Sequence, residues 1–295
     1  MLSLSFTRQI ICFERKNSSI PLMKLHGIWH SLGAIGCGSL ATYVSLKLLD
    51  QPQARNEDHE PQELVSKGQW CHNWDSREHQ ASNVGAKNPE PVALRHIVLV
   101  RHGEYTSTTD GNHLTDLGRL QAHRAGQRLL EMGIAWDHVV ASTMTRAQET
   151  AMIILKQINF DPLKLKRCEL LPEGTPCAAD PPQNRTSSQV EKATRRDGPR
   201  IEAAFRRYFF RASPEQKEDS YLLIIGHANV IRYLVCRALQ FPPDAWTRFS
   251  LNHGSITWLT IWPTGYVTVR CLGDAGYMPV NELTHRRPRK SVDNN

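Results

Sequence analysis

The stretch HIVLVRHGEY, His96 to Tyr105, decides how the chain is read. Four consecutive apolar residues, Ile97 to Val100, run straight into Arg101, His102 and Gly103. A short unbroken apolar run fits a strand buried on both faces. In an open α/β sheet, ligands gather at the carboxyl ends of such strands. Two cationic residue types at that end call for a negative partner, and Gly103 allows the backbone a tight turn beside it.

Outward from this strand the chain alternates strands with helices from Leu94 onward. His138–Ser142 and YLLIIGHA (Tyr221–Ala228) read as further strands. Helices are expected at LTDLGRLQAHRAGQRLLEMG, TRAQETAMIILKQI, RIEAAFRRYFFRA and NVIRYLVCRAL. The first is capped by Thr115, shares an apolar face of Leu117, Leu120, Ala125 and Leu129, and stops at Gly133. A polar excursion fills Leu170 to Arg200, and SITWLTIWPTGYVTVRCLG alternates like a hairpin turning at Pro263–Gly265. Strands alternating with helices predict an α/β sheet covered on both faces.

Three strand ends then carry chemistry: Arg101 and His102; Ser142 with Arg146 just beyond; and Gly226 with His227. Guanidinium forks match phosphate oxygens, and a helix N-terminus adds N–H groups and positive partial charge. A histidine nitrogen can attack phosphorus, flanking cations can neutralise the transferring group, and a carboxylic acid can protonate the leaving oxygen. Glu173, in the LPEG loop, is the candidate acid, with Glu104 in reserve. His102 and His227 as metal ligands would need a carboxylate or cysteine cluster that the sequence does not supply, so no metal and no cofactor is expected.

The formal charge is +7, which favours acidic partners. No stripe of interleaved basic and aromatic residues accompanies it, so nucleic acid is not an expected partner. The seven cysteines are scattered, without a C-x-x-C pair, and read as reduced thiols. Residues 1–26 form a basic leader. Gly27 to Leu49 is nearly uncharged and about the roughly 20 residues a membrane span needs, although rich in Gly and Ser. It reads as a membrane anchor or targeting segment, with a cleaved transit peptide and a buried leader as alternatives. Residues 50–93 form a polar linker. One island interrupts it, WCHNWDSRE (Trp70–Glu78), whose tryptophans suit either docking to a partner or folding back on their own domain. Residues 281–295 read as a basic, solvated tail.

The ordered set LVRHGE, LTDLG, SxxxRAxET (Ser142–Thr150) and GHA resembles the histidine phosphatase superfamily, with its phosphoglycerate-mutase-like fold, over about Arg95 to Leu272. The resemblance implies a three-layer α/β/α sandwich with a mostly parallel central sheet, spanning 94–280. It implies His102 as the phosphorylated nucleophile, Arg101, Arg146 and His227 around the phosphate, and Glu173 as proton donor. GPRIEAAF, HANVIRYLVCRALQFPP, LNHGSIT and LGDAGYMP are further similar to the superfamily's mitochondrial serine/threonine-protein phosphatases. That branch is membrane-anchored, acts on phosphorylated proteins, and assembles into homo-oligomers through a W-D-x-N-W-D motif. Here Trp70, Asn73, Trp74 and Asp75 match it, but Cys71 stands at the first Asp. Loss of a buried carboxylate contact, worth about 1.5–3 kcal/mol, would weaken assembly. A small-molecule phosphatase or mutase, and an inactive membrane-anchored scaffold, are the alternative functions. The short YTSTTDGNH link after R-H-G-E favours an open mouth and hydrolysis over phosphoryl transfer between metabolites.

Overall fold

The computed structural model describes residues 69–77, 91–108 and 111–285. The leader, the 27–49 segment, most of the linker and the tail beyond His285 lie outside the described residues. Among the described residues no helix is long and apolar enough to cross a membrane.

The stretch His96–Val100 lies in β1 (Arg95–Arg101), inside a six-stranded sheet. The other strands are β4 (His138–Ser142), β5 (Lys166–Cys168), β6 (Ser220–Gly226), β7 (Ile256–Ile261) and β8 (Val267–Asp274); β2 (Tyr105–Thr108) and β3 (Gly111–Leu114) form a separate hairpin. The sheet order is β5-β4-β6-β1-β7-β8. The first four run parallel, and β7 and β8 are antiparallel additions at the far edge.

Strand alternation divides the core between two faces. Ile97 and Leu99 point toward α3 (Ser187–Tyr208) and α4 (Ala228–Ala238), with Phe205, Leu234 and Trp246. Val98 and Val100 point toward α1 (Asp116–Glu131) and α2 (Thr145–Gln157), with Ala125, Leu129 and Ile154. The result is the three-layer α/β/α sandwich expected.

Two helices differ from expectation. Helix α1 does start at Thr115, whose hydroxyl accepts from the Gly118 N–H at 2.9 Å. Its buried face is Gly118, Gln121, Ala122, Ala125, Gly126 and Leu129, whereas Leu120 is exposed and Leu117 half-buried. Ala125 and Leu129 are buried as expected, and Gly118, Ala122 and Gly126 take the places beside them where the helix lies close to its neighbours. Helix α3 begins at Ser187, well inside the expected polar excursion, and carries Pro199 within it. Its start is a capping box between Thr186 and Gln189, a signal readable in T-S-S-Q. Residues 281–285, expected as tail, pack on the domain: Glu282 is buried and the Gln121 amide donates to its carbonyl at 2.7 Å.

Among the described glycines, the tightest surroundings lie beside the R-H-G turn. A Cβ on Gly118 would lie 1.9 Å from the Glu104 carbonyl oxygen, and one on Gly103 would lie 2.2 Å from the Gly118 carbonyl oxygen. Both obstacles are backbone, so neither yields as a flexible side chain would. Gly118→Ala is therefore expected to lose about 1–3 kcal/mol or more of folding stability, read as a lower denaturant midpoint. An unchanged midpoint would contradict the backbone contact between α1 and the turn.

Candidate active site

The pairing register brings the polar strand ends to one edge. Arg101 pairs with Gly226, so His102 emerges beside His227, and Ser142 ends β4 on the other side of β6. Strand β7 runs the opposite way, so the segment that enters it, His253 to Ser255, arrives at the same edge.

His102 is 1% exposed and its bonding defines its tautomer. The Nδ1–H donates to its neighbour's carbonyl, Gly103 O, at 2.8 Å. The Nε2 lone pair then accepts from Arg146 Nε–H at 3.0 Å. Burial is the largest force on the ring and holds its pKa well below the ordinary value; His227, Arg101 and Arg146 push in the same direction. The imidazole is neutral at physiological pH, with Nε2 available to an electrophile. Tyr105 stands edge-on to this ring at 5.2 Å, and the Arg146 guanidinium lies 4.5 Å over the tyrosine ring.

The R-A-x-E-T spacing positions the turn from below. Arg146 reaches His102, while Thr150, one helical turn on, accepts from Gly103 N–H at 3.1 Å and donates to the Arg146 carbonyl at 2.7 Å. Glu149 accepts from Leu114 N–H at 2.8 Å and so holds the β2–β3 hairpin.

Arg101 is anchored on three sides. One terminal nitrogen donates to the carbonyls of Leu251 at 2.5 Å and His285 at 2.8 Å. The other meets His253 Nε2 at 2.7 Å, and His253 Nδ1 meets Thr284 Oγ1 at 2.8 Å. Burial lowers the Arg101 pKa to about 10, which still leaves it charged. The same burial, with Arg101 beside it, pushes His253 down to about 3. His227 Nε2 pairs with Ser142 Oγ at 2.8 Å, and its pKa is held well below normal by burial first, then by Arg146 and Arg101. Among the described residues, His227 Nδ1 and Arg101 Nε are buried without a hydrogen-bond partner. Ser255 Oγ is likewise unpartnered, and since unpaired buried polar atoms are costly, a polar ligand at this edge would lower that cost.

Glu173 sits on a loop, yet the loop is tied at successive residues. Arg200 donates to the carbonyls of Leu170 at 3.0 Å and Pro172 at 2.7 Å. Asn229 donates to the Gly174 carbonyl at 3.0 Å, and Asp197 accepts from Thr175 N–H at 2.9 Å. Burial raises the Glu173 pKa and outweighs the Gly174 N–H and the arginines 101, 146 and 232, which pull it down. A carboxyl group that keeps its proton to higher pH is suited to donate one.

All five expected residues, Arg101, His102, Arg146, Glu173 and His227, thus converge. Glu104, the reserve candidate, is bound within the turn. Its carboxylate accepts from the Thr115 hydroxyl at 3.0 Å and its backbone is fixed by Gln121 and Thr115, so it serves the turn. Sequence reasoning missed His253, which enters from an antiparallel strand's start, and Arg200 and Arg232, which act from helices. Among the described residues no group of three histidine, cysteine or acidic side chains is placed to hold a metal ion.

Trp70, Asn73, Trp74 and Asp75 are remote from these groups. Their segment docks on its own chain, the fold-back alternative. The Asp75 carboxylate, 0% exposed, pairs with Arg211 at 2.8 Å; Trp74 Nε1–H donates to the Gly265 carbonyl at 2.7 Å; and Trp70 stacks on Tyr266 at 5.7 Å. Cys71 joins through its backbone alone, exchanging hydrogen bonds with the Gln240 amide at 2.8 and 2.9 Å, and its thiol is free. The carboxylate missing at this position is therefore not part of this docked geometry.

The neutral histidines set a pH dependence. Folded His102, His227 and His253 have depressed pKa values, whereas unfolded ones titrate near about 6.5. Below that pH the unfolded chain binds protons that the folded chain refuses, so stability is present above about 6.5 and is lost as pH falls. Denaturant midpoints are expected to drop between pH 7 and 5, less steeply in His253→Gln; a flat profile would contradict the neutral cluster. For the loop, Arg200→Met is expected to lower kcat by roughly 10–100-fold with KM little changed, through misplacement of Glu173. Equal losses in Arg200→Met and in an exposed control such as Lys192→Met would contradict the clamp.

Comparison with known proteins identifies the family of the chain. The model of the histidine phosphatase superfamily (branch 1) matches residues 97–272. A protein of Drosophila virilis named serine/threonine-protein phosphatase Pgam5, mitochondrial, is 50% identical over 282 residues, which is 87% of this chain and 96% of the relative. The protein of the same name from Drosophila persimilis is 52% identical over 238 residues, 75% of this chain and 82% of the relative. Among solved structures, a phosphoglycerate mutase from Plasmodium falciparum is 33% identical, covering 68% of this chain and 98% of that one at a TM-score of 0.45. With the matched motifs gathered at one sheet edge around a neutral, buried His102, this chain belongs to the histidine phosphatase superfamily.

Proposed function

We propose that the chain is a phosphoprotein phosphatase that removes phosphate from serine and threonine through a phosphohistidine on His102. The observation that carries this reading is the neutral His102 Nε2, bonded to Arg146 at 3.0 Å and overlooked by a carboxyl group of raised pKa. Nε2 attacks phosphorus and exchanges the Arg146 bond for a bond to phosphorus. Arg146 is left against the phosphoryl oxygens, where its fork offsets their charge. Arg101 Nε and His227 Nδ1, unpaired and buried, donate to the same group. The bond from phosphorus to the seryl or threonyl oxygen breaks, and Glu173 gives that oxygen its proton. The resulting carboxylate takes a proton from water, which attacks phosphorus, frees Nε2 and releases inorganic phosphate.

The named relatives support protein substrates and a mitochondrial location. The link between R-H-G-E and α1 folds into only the short β2–β3 hairpin, which suits a mouth that accepts a phosphorylated side chain. Residues 27–49 serve as the membrane anchor ahead of a 50–93 linker and a 94–280 catalytic domain, with 281–295 as the C-terminal segment. The face that holds Trp70–Asp75, built on Arg211, Gln240 and Tyr266, is the same in every copy. The segment of a second copy can occupy it, which makes a homo-oligomer that Cys71 leaves intact.

The full chain is expected to release phosphate from phosphoserine and phosphothreonine peptides, and His102→Ala to release none. As pH rises through the raised pKa of Glu173, peptide turnover should fall in wild type; Glu173→Gln should lose that limb and retain more aryl-phosphate than peptide turnover. Efficient interconversion of phosphoglycerates, or full activity in His102→Ala, would contradict the reading.

A further inference from the structure

A cavity of about 460 Å³ lies against the loop that carries Glu173. Its apolar lining is Cys177, Ala178, Ala179, Pro182, Val190 and Trp246, so its walls come from the polar excursion and the start of α3. The volume is within the roughly 300–1,000 Å³ of pockets that take small apolar ligands. Two routes join it to the site. Thr175, two residues after Glu173, is one wall. Trp246 is another, and the Arg232 guanidinium stands over its ring at 5.1 Å while acting electrostatically on Glu173. Arg185 frames the rim by donating to Thr175 Oγ1 at 3.1 Å. Gln183, Glu191 and Arg195 also form part of the wall, and Thr194 Oγ1 is buried with no hydrogen-bond partner among the described residues.

We propose that this cavity is a substrate-recognition subsite for an apolar side chain flanking the phosphorylated residue, seated beside the Glu173 loop. The assignment rests on the phosphoprotein reading given above. An extended peptide advances about 3.3–3.6 Å per residue, so a chain whose phosphorylated residue is bound at His102 carries its neighbours past Glu173 and Thr175. An apolar side chain fills the space over Trp246, and a peptide N–H or C=O satisfies the Thr194 hydroxyl. The cavity adds nothing for a small phosphate ester, which ends at the catalytic groups. The Cys177 thiol, pushed up to about 12 chiefly by burial, stays protonated and belongs to the apolar wall.

The test uses the full chain and phosphothreonine peptides in which leucine replaces alanine at each flanking position in turn. Wild type is expected to prefer leucine at one position by roughly tenfold or more in kcat/KM, the discrimination an apolar pocket gives. Val190→Arg, which places a cation in the cavity, is expected to abolish that preference and leave aryl-phosphate turnover unchanged. If Val190→Arg also loses aryl-phosphate turnover, the exposed Ala178→Arg decides in its place. No positional preference for leucine, or a preference that survives the arginine, overturns the subsite. Wild-type turnover of aryl phosphate without any peptide turnover removes the phosphoprotein reading instead, and the subsite with it.

Discussion

One hydrogen bond orders the chemistry of this molecule: His102 Nδ1–H to the carbonyl of Gly103. It fixes the proton on the nitrogen that faces the backbone and turns the Nε2 lone pair toward Arg146. The ring stays neutral because burial penalises its charge, with arginines on two sides adding repulsion. The same guanidiniums that keep the resting ring neutral are those that an incoming phosphoryl group would meet. On the proposed reading, the nucleophile and the anion site draw on one set of charges, and the low local dielectric strengthens both effects.

That bond requires a turn that brings the Gly103 carbonyl back to its neighbour's ring, and much of the fold serves the turn. Thr150 holds the Gly103 N–H, Gln121 holds the Glu104 N–H, and Gly118 lets α1 approach the backbone. The C-terminal stretch closes the other side, where Thr284 fixes His253 and His285 lends a carbonyl to Arg101. Residues far apart in sequence therefore act on one loop, and its support is tertiary, with little contribution from local propensity.

The layers, and the meeting of Arg101, His102 and His227 at one edge, were legible because apolar runs ending in polar groups mark the carboxyl ends of buried strands; Arg146 and Glu173 were picked out from motif and loop. His253 was not, since it precedes an antiparallel strand and nothing local shows that the start of β7 meets the end of β1. Arg200 and Asp197 were hidden for a related reason: their work on the Glu173 loop depends on a helix start that lay inside a stretch read as polar coil. The T-S-S-Q capping box could have revealed it. The apolar face of α1 was misjudged because hydrophobicity alone ranks leucine above glycine. At this contact Gly118 and Gly126 are buried with Ala125 and Leu129, as expected of the last two, while Leu120 turns outward. The backbone docking of Cys71 on Gln240 was not legible either, since the two are far apart in sequence.

The central claim is that the phosphoryl group passes through Nε2 of His102. Its most direct test is acid-free rapid quench of the full chain during turnover of a phosphothreonine peptide, followed by mass-spectrometric mapping and phosphorus NMR of the trapped species. The predicted result is a single phosphohistidine at residue 102, bonded through Nε2. Phosphorylation through Nδ1, on another residue, or turnover with no covalent species under conditions that trap a control phosphohistidine would contradict it.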